Sequence, residues 1–335
     1  MLRVLLLLSV LISTSGCEAV MQNWQKVRML DHLEQIESYH GTFSETGILD
    51  SKETLVTEIW YKAPLQYYMV IRAPKKFEGA EFSYDGNEIK IYYPQTRFAV
   101  VTRGLEPVSK SERAKLLKAM FDHGVKFQNY ELGKISSEAG YPVIEVRSTE
   151  RRPDAAIASG SSNVYDKFSF PISATAKFKN AGDYGFKYTS IQFNEAIDLP
   201  KVKIPKDAIV SEWDAKSKSF TEAEAVKDAG FKFNLPKLPE WKLARIIRQT
   251  GPVPAFTAMY DAGPFKLSVV VSRNYGMSLI PTGRGLKVPV GKVTGALIPN
   301  PHVNSYSFIH GETQYVLSTN GPIELILEAA KSIAP

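Results

Sequence analysis

The chain has 335 residues, enough for two domains of ordinary size. Hydrophobic residues make up 44% and charged residues 23% of the sequence, which excludes a disordered, collagen-like or coiled-coil chain. Outside residues 2–12 no apolar run approaches the ~18 residues that a membrane-spanning helix needs, so a polytopic membrane protein is excluded. The one cysteine excludes an intrachain disulfide framework and a cysteine-rich metal site.

The net charge of +6 is unevenly distributed along the chain. Residues 228–335 carry 11 basic and 6 acidic residues, and the remainder is nearly balanced. This surplus indicates either a solvated surface or a site for an acidic partner or anionic lipid head groups. It is small beside a nucleic-acid-binding stripe, so no nucleic-acid partner is expected.

The N-terminus has the layout of an export signal. Arg3 is followed by the apolar run 5–12 and by the small residues 13–16, which end at Cys17. A buried N-terminal helix that ends at a chance cysteine is the alternative. An export signal in this segment places the mature chain outside the cytoplasm.

The residues Ser15–Gly16–Cys17 resemble the end of a bacterial lipobox, although Thr14 stands where that pattern usually has leucine. The resemblance implies diacylglyceryl transfer to the Cys17 sulfur, cleavage after Gly16 and a lipid anchor, including an amide-linked chain such as palmitate. Each buried methylene of the anchor contributes about 0.8 kcal/mol. The expected location is therefore the periplasmic side of the cell envelope, on the inner or the outer membrane.

The hydrophobic period predicts one helix and then a long antiparallel sheet. Residues 19–37 have apolar positions at helical spacing, and from Tyr39 the period changes to two. About eleven strands are predicted, at 39–47, 53–62, 66–73, 80–85, 88–93, 97–103, 126–136, 141–149, 164–170, 173–180 and 186–195. Asp85–Gly86–Asn87 predicts a tight hairpin. The expected fold class is α+β, with a curved half-barrel covered by helices.

Two further features organise the chain. Ser109 is expected to cap a helix over 111–123 that ends at Gly124. A polar stretch at 214–219 predicts a linker, and Thr221 with Glu224 predicts a capping box that opens a smaller α/β unit. Strands are expected there near 241–249, 255–261, 264–273, 286–290, 304–310 and 313–318, before a final helix. The predicted domains are 18–212 and 213–335.

A search for chemistry finds no catalytic or metal-binding pattern. The five histidines lack metal-ligand spacing, and no GxSxG nucleophile elbow occurs. Gly283–Arg284–Gly285 lacks the third glycine and the βα context of a dinucleotide site. The carboxylates of Glu145, Glu150 and Asp154 are interpreted as a solvated edge. We therefore expect no enzymatic activity, no cofactor and no metal.

Apolar residues alternate with charged ones across four consecutive predicted strands, so one face of this part of the sheet is apolar. Such a face is either ordinary core beneath the helices or the lining of a cavity that suits acyl chains. The candidate ligand-binding residues are Ile59, Tyr61, Met69, Ile71, Phe82, Tyr84, Ile89 and Ile91.

The order of several short motifs resembles the fold of the LolA lipoprotein carriers. These motifs are 37–43 (ESYHGTF), 60–64 (WYKAP), 82–87 (FSYDGN) and 91–94 (IYYP). The segments 230–233 and 238–241 and the final helix are similar to the C-terminal domain of MucB/RseB-type regulators of sigma-E. The resemblance spans most of the chain and implies a lipid-binding N-terminal domain and a C-terminal domain that helps to hold an anti-sigma factor. Both families are usually soluble in the periplasm, whereas this chain carries a lipobox.

Three functions follow from these observations. The first is a lipid-anchored periplasmic sensor of acyl chains of lipoproteins or glycolipids that regulates an envelope-stress anti-sigma factor through its periplasmic domain. The second is a lipoprotein or glycolipid transport or envelope-assembly factor of LolA type with no signalling role. The third is a hydrolase of the cell envelope. Neighbouring genes for a sigma factor and a one-span anti-sigma protein would favour the first function over the second.

Overall fold

A computed structural model describes residues 32–49, 52–251, 254–274, 283–299 and 303–335. The predicted export signal, Cys17 and most of the predicted helix 19–37 lie outside these residues. The described residues form two sheets, one of twelve strands and one of seven, with three helices of eight residues or more. Among the described residues, no helix is both long and apolar enough to cross a membrane.

The first sheet is open and almost entirely antiparallel. In space the strands follow the order β12-β6-β5-β4-β3-β2-β1-β11-β10-β9-β8-β7, and only β12 runs parallel to its neighbour, β6. The sheet does not close into a barrel. Its strands are β1 (Ser38–Thr46), β2 (Leu55–Lys62), β3 (Gln66–Ala73), β4 (Glu81–Tyr84), β5 (Ile89–Tyr93), β6 (Phe98–Arg103), β7 (Gln128–Glu138), β8 (Tyr141–Glu150), β9 (Ile157–Tyr165), β10 (Phe170–Phe178), β11 (Gly182–Phe193) and β12 (Ile209–Asp214).

The second sheet has the order β13-β14-β15-β19-β18-β17-β16. Its strands are β13 (Lys242–Gln249), β14 (Ala255–Ala262), β15 (Phe265–Arg273), β16 (Leu286–Val290), β17 (Val293–Ile298), β18 (Asn304–His310) and β19 (Thr313–Thr319). The helices are α1 (Lys110–Phe127), between β6 and β7, and α2 (Glu222–Ala229) and α3 (Ile323–Ile333), on either side of the second sheet in sequence. The expected α+β class, a large curved sheet plus a smaller unit, is confirmed.

The hairpin at Asp85–Gly86–Asn87 is confirmed. Gly86 has a φ of +105°, a conformation that favours glycine. The Asp85 carboxylate accepts hydrogen bonds from the backbone N–H groups of Asn87 and Glu88, each at 2.9 Å. This turn sets the register of β4 against β5.

Helix α1 begins where the sequence predicts but ends later. Ser109 is the N-cap and forms a capping box with Glu112. Gly124, expected at the C-terminus, lies inside the helix and is not among the glycines with positive φ; a Cβ there would lie 2.8 Å from the Tyr130 hydroxyl oxygen. The helix continues to Phe127, whose ring stacks on His123 with centroids 4.5 Å apart.

Three strands differ from the prediction. Strand β9 covers 157–165 rather than 164–170, and β12 and β17 were not predicted. The sequence of β9, IASGSSNVY, is rich in serine and glycine, which have low strand propensity, and β9 forms because β8 and β10 pair with it on both sides. Strand β12 depends on a partner about a hundred residues away, β6, which local sequence does not reveal.

Two apolar clusters hold the first sheet in place. One is an aromatic cluster at one end of its concave face, centred on Tyr39, Tyr61 and Tyr188. The other joins the opposite end to the core of the second sheet. On the convex face Val202 and Ile204, from the segment before β12, pack against aromatic side chains of β2, β3 and β5. The two clusters approach each other on this face, since Phe186 packs against both, Met69 packs against the first, and Phe82 and Ile91 pack against the second.

Candidate functional site

The eight candidate residues lie on one face of strands β2 to β5. Strand pairing places Ile59, Met69, Phe82 and Ile91 in one row across the four strands. It places Tyr61, Tyr67, Tyr84 and Ile89 in a second row. Ile71 lies opposite Thr57 on the same face. Tyr67 belongs to this surface although the sequence did not mark it as a candidate.

The eight residues divide by depth. Ile59, Tyr61, Ile71 and Tyr84 are buried and form a packed floor. Met69, Phe82, Ile89 and Ile91 are only half-buried, and so is Val100, which lies opposite Ile91 on β6. Alternation in the sequence identified the face correctly but could not separate these two depths, because depth depends on what covers the sheet.

The tyrosine hydroxyls of the floor are already bonded within the protein. Tyr61 donates to the Pro64 carbonyl oxygen at 2.7 Å, and Tyr84 donates to that of Gly86 at 3.0 Å. Burial raises the pKa of both phenols, so they stay neutral. These residues present rings rather than polar groups to the concave face.

An aromatic wall closes one end of the concave face. The rings of Tyr39 and Tyr61 stack with centroids 4.9 Å apart, and Phe170 meets Tyr39 edge to face at 5.2 Å. Tyr188 lies 5.3 Å from Phe43 in the same cluster. Burial raises the pKa of Tyr39 well above its usual value. Sequence reasoning missed this wall, although Tyr39 and Phe43 lie in one of the motifs that carry the family resemblance.

A buried carboxylate closes the other end. Glu45 of β1 is 1% exposed and accepts a hydrogen bond from the Tyr184 hydroxyl at 3.0 Å. The Arg284 guanidinium, from the segment that precedes β16, lies 3.8 Å from its other oxygen. Burial raises the pKa of Glu45 despite that cation. The sequence signal for this carboxylate is an acidic residue at an inward-facing position of β1, outside the motifs identified from the sequence.

Backbone hydrogen bonds hold the segment that carries Arg284 in place. Gly285 donates its N–H to the Ile48 carbonyl oxygen, and Leu49 and Arg284 form an antiparallel bridge. The chain from the second sheet is thus hydrogen-bonded to the end of β1. Gly283–Arg284–Gly285, interpreted from the sequence as a plain loop, is a connection between the two sheets.

Helix α1 crosses the concave side without sealing it. Near its N-terminus the Arg113 guanidinium lies 5.5 Å from the Tyr61 ring centroid and donates to the carbonyl oxygens of Leu33 and Ile36. Near its C-terminus Gly124 faces Tyr130 of β7. The residues of α1 that share this face by helical spacing are Leu116, Leu117 and Met120. None of the 18 residues of α1 is buried.

Two partly buried apolar surfaces therefore lie on the concave side, one on the sheet and one on α1. We call them together the concave groove, with Met69, Phe82, Ile89 and Ile91 as its sheet side; Met69 also packs against the aromatic cluster, and Phe82 and Ile91 against the core shared with the second sheet. Two cavities of about 410 and 370 Å³ lie elsewhere and are lined largely by polar residues of β1, β9, β10 and β11 and by the neighbourhood of His40. None of the eight candidate residues lines either cavity.

Two of the four described histidines each lie against one carboxylate. His40 Nε2 lies 2.9 Å from Glu58 and its ring stacks on Trp60, and His123 Nε2 lies 3.5 Å from Glu324. Within the described ranges no three histidine, cysteine, aspartate or glutamate side chains come together as a metal site would require. These pairs lie outside the concave groove and bind parts of the fold to one another.

No protein-family model matches the sequence, and no curated protein matches it. Solved structures similar to this chain include MucB, at 15% identity over 94% of this chain and 96% of that one, with a TM-score of 0.49. The Pseudomonas aeruginosa MucA/MucB complex matches at 15% identity over 94% and 98% of the two chains, with a TM-score of 0.46. A LolA superfamily protein from Nitrosomonas europaea matches at 12% identity over 53% and 96%, with a TM-score of 0.24. Both families that the sequence motifs resemble are among the similar structures.

Proposed function

We propose that this protein is a non-enzymatic, lipid-anchored binding protein on the periplasmic side of a bacterial cell envelope, and that the concave groove takes up an acyl chain of a lipoprotein or glycolipid. One observation carries the proposal. Apolar side chains of the sheet and of α1 are only partly buried on the same side of the molecule, whereas the other four candidate residues are fully buried. Apolar surfaces arranged in this way are favourable for an apolar ligand.

The energetics favour an alkyl chain. Each methylene that leaves water contributes about 0.8 kcal/mol, so fourteen methylenes contribute on the order of 10 kcal/mol before the entropy of ordering the chain is subtracted. The bonded tyrosine hydroxyls offer no free polar groups to the ligand, and the aromatic wall and Glu45 limit its length at both ends. The ligand-binding residues in this proposal are the four groove residues, above the floor of Ile59, Tyr61, Ile71 and Tyr84.

The proposal includes the anchor and the division of the chain. Cys17 carries the lipid, residues 18–212 form the acyl-binding domain and residues 213–335 form the second domain. The boundary falls within β12, which pairs with the first sheet through Asp214. The anchor would keep the groove next to a membrane that supplies acyl chains.

We further propose that the second domain contacts the periplasmic domain of an anti-sigma factor, so that acyl binding regulates an envelope-stress response. The support for this step is the resemblance of 230–241 and the final helix to MucB/RseB-type regulators. Binding of the mature chain to the purified periplasmic segment of a one-span anti-sigma protein from the same genome tests it, with and without a fatty acid.

The acyl-binding proposal is tested with the chain from residue 18 onward, a fluorescent fatty acid and two tryptophan substitutions. Ile91→Trp places an indole in the groove, and Ile309→Trp places the same group at an exposed position of β18. We expect Ile91→Trp to weaken binding with little change in melting temperature, and Ile309→Trp to leave both unchanged. In a solid core, Ile91→Trp would instead cost about 1–3 kcal/mol of stability. A large loss of stability, with no binding by the unsubstituted chain, would overturn the proposal.

A further inference from the structure

Strands β7 and β8 carry a partly exposed apolar patch. Leu132 pairs with Val146 and Ile135 pairs with Ile144, so the four side chains lie on one face of the two strands. Leu132 and Ile135 are 63% and 76% exposed, more than any other large hydrophobic residue in the described part of the chain. Contiguous apolar surface of this kind marks a contact site. We call these four residues the edge patch.

The edge patch lies on the same side of the sheet as α1. Tyr130, two residues before Leu132 on β7, shares its face, and a Cβ on Gly124 of α1 would lie 2.8 Å from the Tyr130 hydroxyl oxygen. The charged residues Glu131 and Arg147 pair with each other on the opposite face. A helix is about 10 Å thick, so a second helix that lies on the patch would stand level with α1. The space beside α1 therefore fits a helix.

A helical turn of this chain lies near the patch. The described residues begin with that turn, at residues 32–34. The His32 Nδ1 atom lies 3.0 Å from the Asp166 carbonyl oxygen, in the turn between β9 and β10. In addition, the Arg113 guanidinium of α1 donates to the Leu33 carbonyl oxygen. The turn at 32–34 is thus held by both the β9–β10 turn and the beginning of α1.

The patch is within reach of residues 20–31. Asp166 is two residues beyond Val164, which pairs with Ile144, and Ile144 pairs with Ile135. Two strand spacings of about 4.8 Å and two residues of about 3.3 Å each put Ile135 about 12 Å from Asp166. Twelve residues of helix are about 18 Å long. A helix over 20–31 that continues the described helical turn is therefore long enough to span the patch.

The sequence of this segment is that of an amphipathic helix. Trp24, Val27 and Leu30 follow one another at helical spacing, and Leu33, the next residue of the series, packs against the aromatic cluster. Gln25 lies on the other side of such a helix. The segment therefore offers an apolar side to an apolar surface and a polar side to water.

We propose that residues 20–31 form a helix beside α1 and lay Trp24, Val27 and Leu30 on the edge patch. This occupant follows from where the described helical turn is held, from the length of the segment and from its apolar spacing. The docked helix would leave two residues between itself and Cys17. In the anchored protein, a consequence that rests on the proposed function, the α1 side of the sheet would then lie close to the membrane.

Limited proteolysis tests the docking. Trypsin cleaves after Lys26 and Arg28, and docking should protect both bonds because cleavage requires the segment to open. Full-length chain with Cys17→Ser, in mild detergent, makes the result independent of the anchor. We expect Ile135→Asp to speed cleavage at both bonds at least about tenfold, with little change in melting temperature. Ile309→Asp, the same substitution at a 52% exposed isoleucine of β18, should leave the cleavage rate unchanged.

A cysteine pair measures the geometry independently. In the Cys17→Ser chain, Val27→Cys and Ile135→Cys should be joined within one chain by a short bismaleimide. Gln25→Cys with Ile135→Cys is the matched control and should react far less. Crosslinking between two chains would assign the patch to a second copy and overturn the proposal. Cleavage after Lys26 as fast as in the free peptide, or unchanged by Ile135→Asp, would overturn it equally. Lipid labelling of Cys17 is measured separately, so failure of the anchor leaves the docking result standing.

Discussion

The Arg284 guanidinium, which belongs to the second sheet, lies 3.8 Å from the buried carboxylate of Glu45 on the concave face of the first. A second contact of a glutamate also links the two units: His123 of α1 lies 3.5 Å from Glu324 of α3, which also accepts a hydrogen bond from the Ala156 N–H. Both glutamates are well shielded, yet their pKa values move in opposite directions. The two contacts should therefore respond differently to pH.

The Glu45 carboxyl group is buried, and burial disfavours its charged form. Burial raises its pKa above the usual 4.5, so the folded state binds its proton more tightly than the unfolded state does. This group's contribution to stability is complete below pH 4.5 and is lost as pH rises through the raised pKa. Glu45→Gln keeps an acceptor for Tyr184 and should gain stability relative to the unsubstituted chain as pH rises from about 4 to 7. Denaturant unfolding at the two pH values checks this, and equal differences at both would contradict it.

Removing Arg284 should change the free energy of unfolding with pH in the opposite direction to Glu45→Gln. Arg284→Ala leaves the Glu45 carboxylate without its cation, at a cost of about 1–3 kcal/mol near neutral pH. The cost should shrink in acid, because a protonated Glu45 needs no counter-charge. Arg273→Ala, which removes an exposed arginine paired with the exposed Glu312, is the matched control and should cost under about 1 kcal/mol. Unfolding free energies of both variants at acid and neutral pH provide the measurement.

The stability that Glu324 contributes should depend on pH in the opposite direction to that of Glu45. Burial alone would raise its pKa, but the His123 imidazole 3.5 Å away and the hydrogen bond from the Ala156 N–H lower it below 4.5. The stability that it contributes is present above the unfolded pKa and is lost as pH falls through the lowered pKa. Glu324→Gln should therefore destabilise the protein by about 1–3 kcal/mol at pH 7 and by less in acid. If the loss were larger in acid than at neutral pH, the assigned role of the carboxylate would be wrong.

The sequence was sufficient to predict those features that depend only on residues close together along the chain. The turn at Gly86 and the capping boxes at Ser109 and Thr221 need only residues within a few positions of one another. Strand β12 and the inserted Arg284 depend on contacts across more than a hundred residues, and they were not predicted. The burial of Glu45 belongs to the same class, since Tyr184 and Arg284 complete its environment from distant parts of the chain.

The candidate site shows the same limit on a smaller scale. Alternation assigned Ile59 and Ile91 to one face, and strand pairing places them in the same row. Yet Ile59 is packed floor and Ile91 is only partly buried, because Ile59 belongs to the core of the aromatic cluster, whereas Ile91 packs against the core shared with the second sheet without being enclosed by it. The alternation of apolar and polar residues predicts which face of the sheet a side chain is on. How deeply that side chain is buried depends on what packs against the face in the folded protein.

The N-cap of α1 offers a test of how firmly this helix is held. Ser109 accepts from the Glu112 N–H at 3.2 Å, and Glu112 accepts from the Ser109 N–H at 2.8 Å. Ser109→Ala should cost about 1 kcal/mol, since it removes the side-chain half of the capping box. Lys118→Ala, at an exposed position in the middle of the same helix, should be neutral within about 0.5 kcal/mol. Thermal unfolding distinguishes them, and equal effects would show that the cap does not secure the helix.

The anchor prediction concerns residues before the described ranges. If Cys17 receives the lipid, Cys17→Ala should abolish labelling with a fatty-acid analogue and leave the precursor uncut, because the thioether that precedes cleavage cannot form. Thr14→Leu restores the residue usual in the lipobox at that position, so labelling and cleavage should be kept or improved. Metabolic labelling followed by mass spectrometry of the N-terminal peptide measures both outcomes. Labelling that persists in Cys17→Ala would place the lipid on another residue and remove the basis for a membrane-tethered groove.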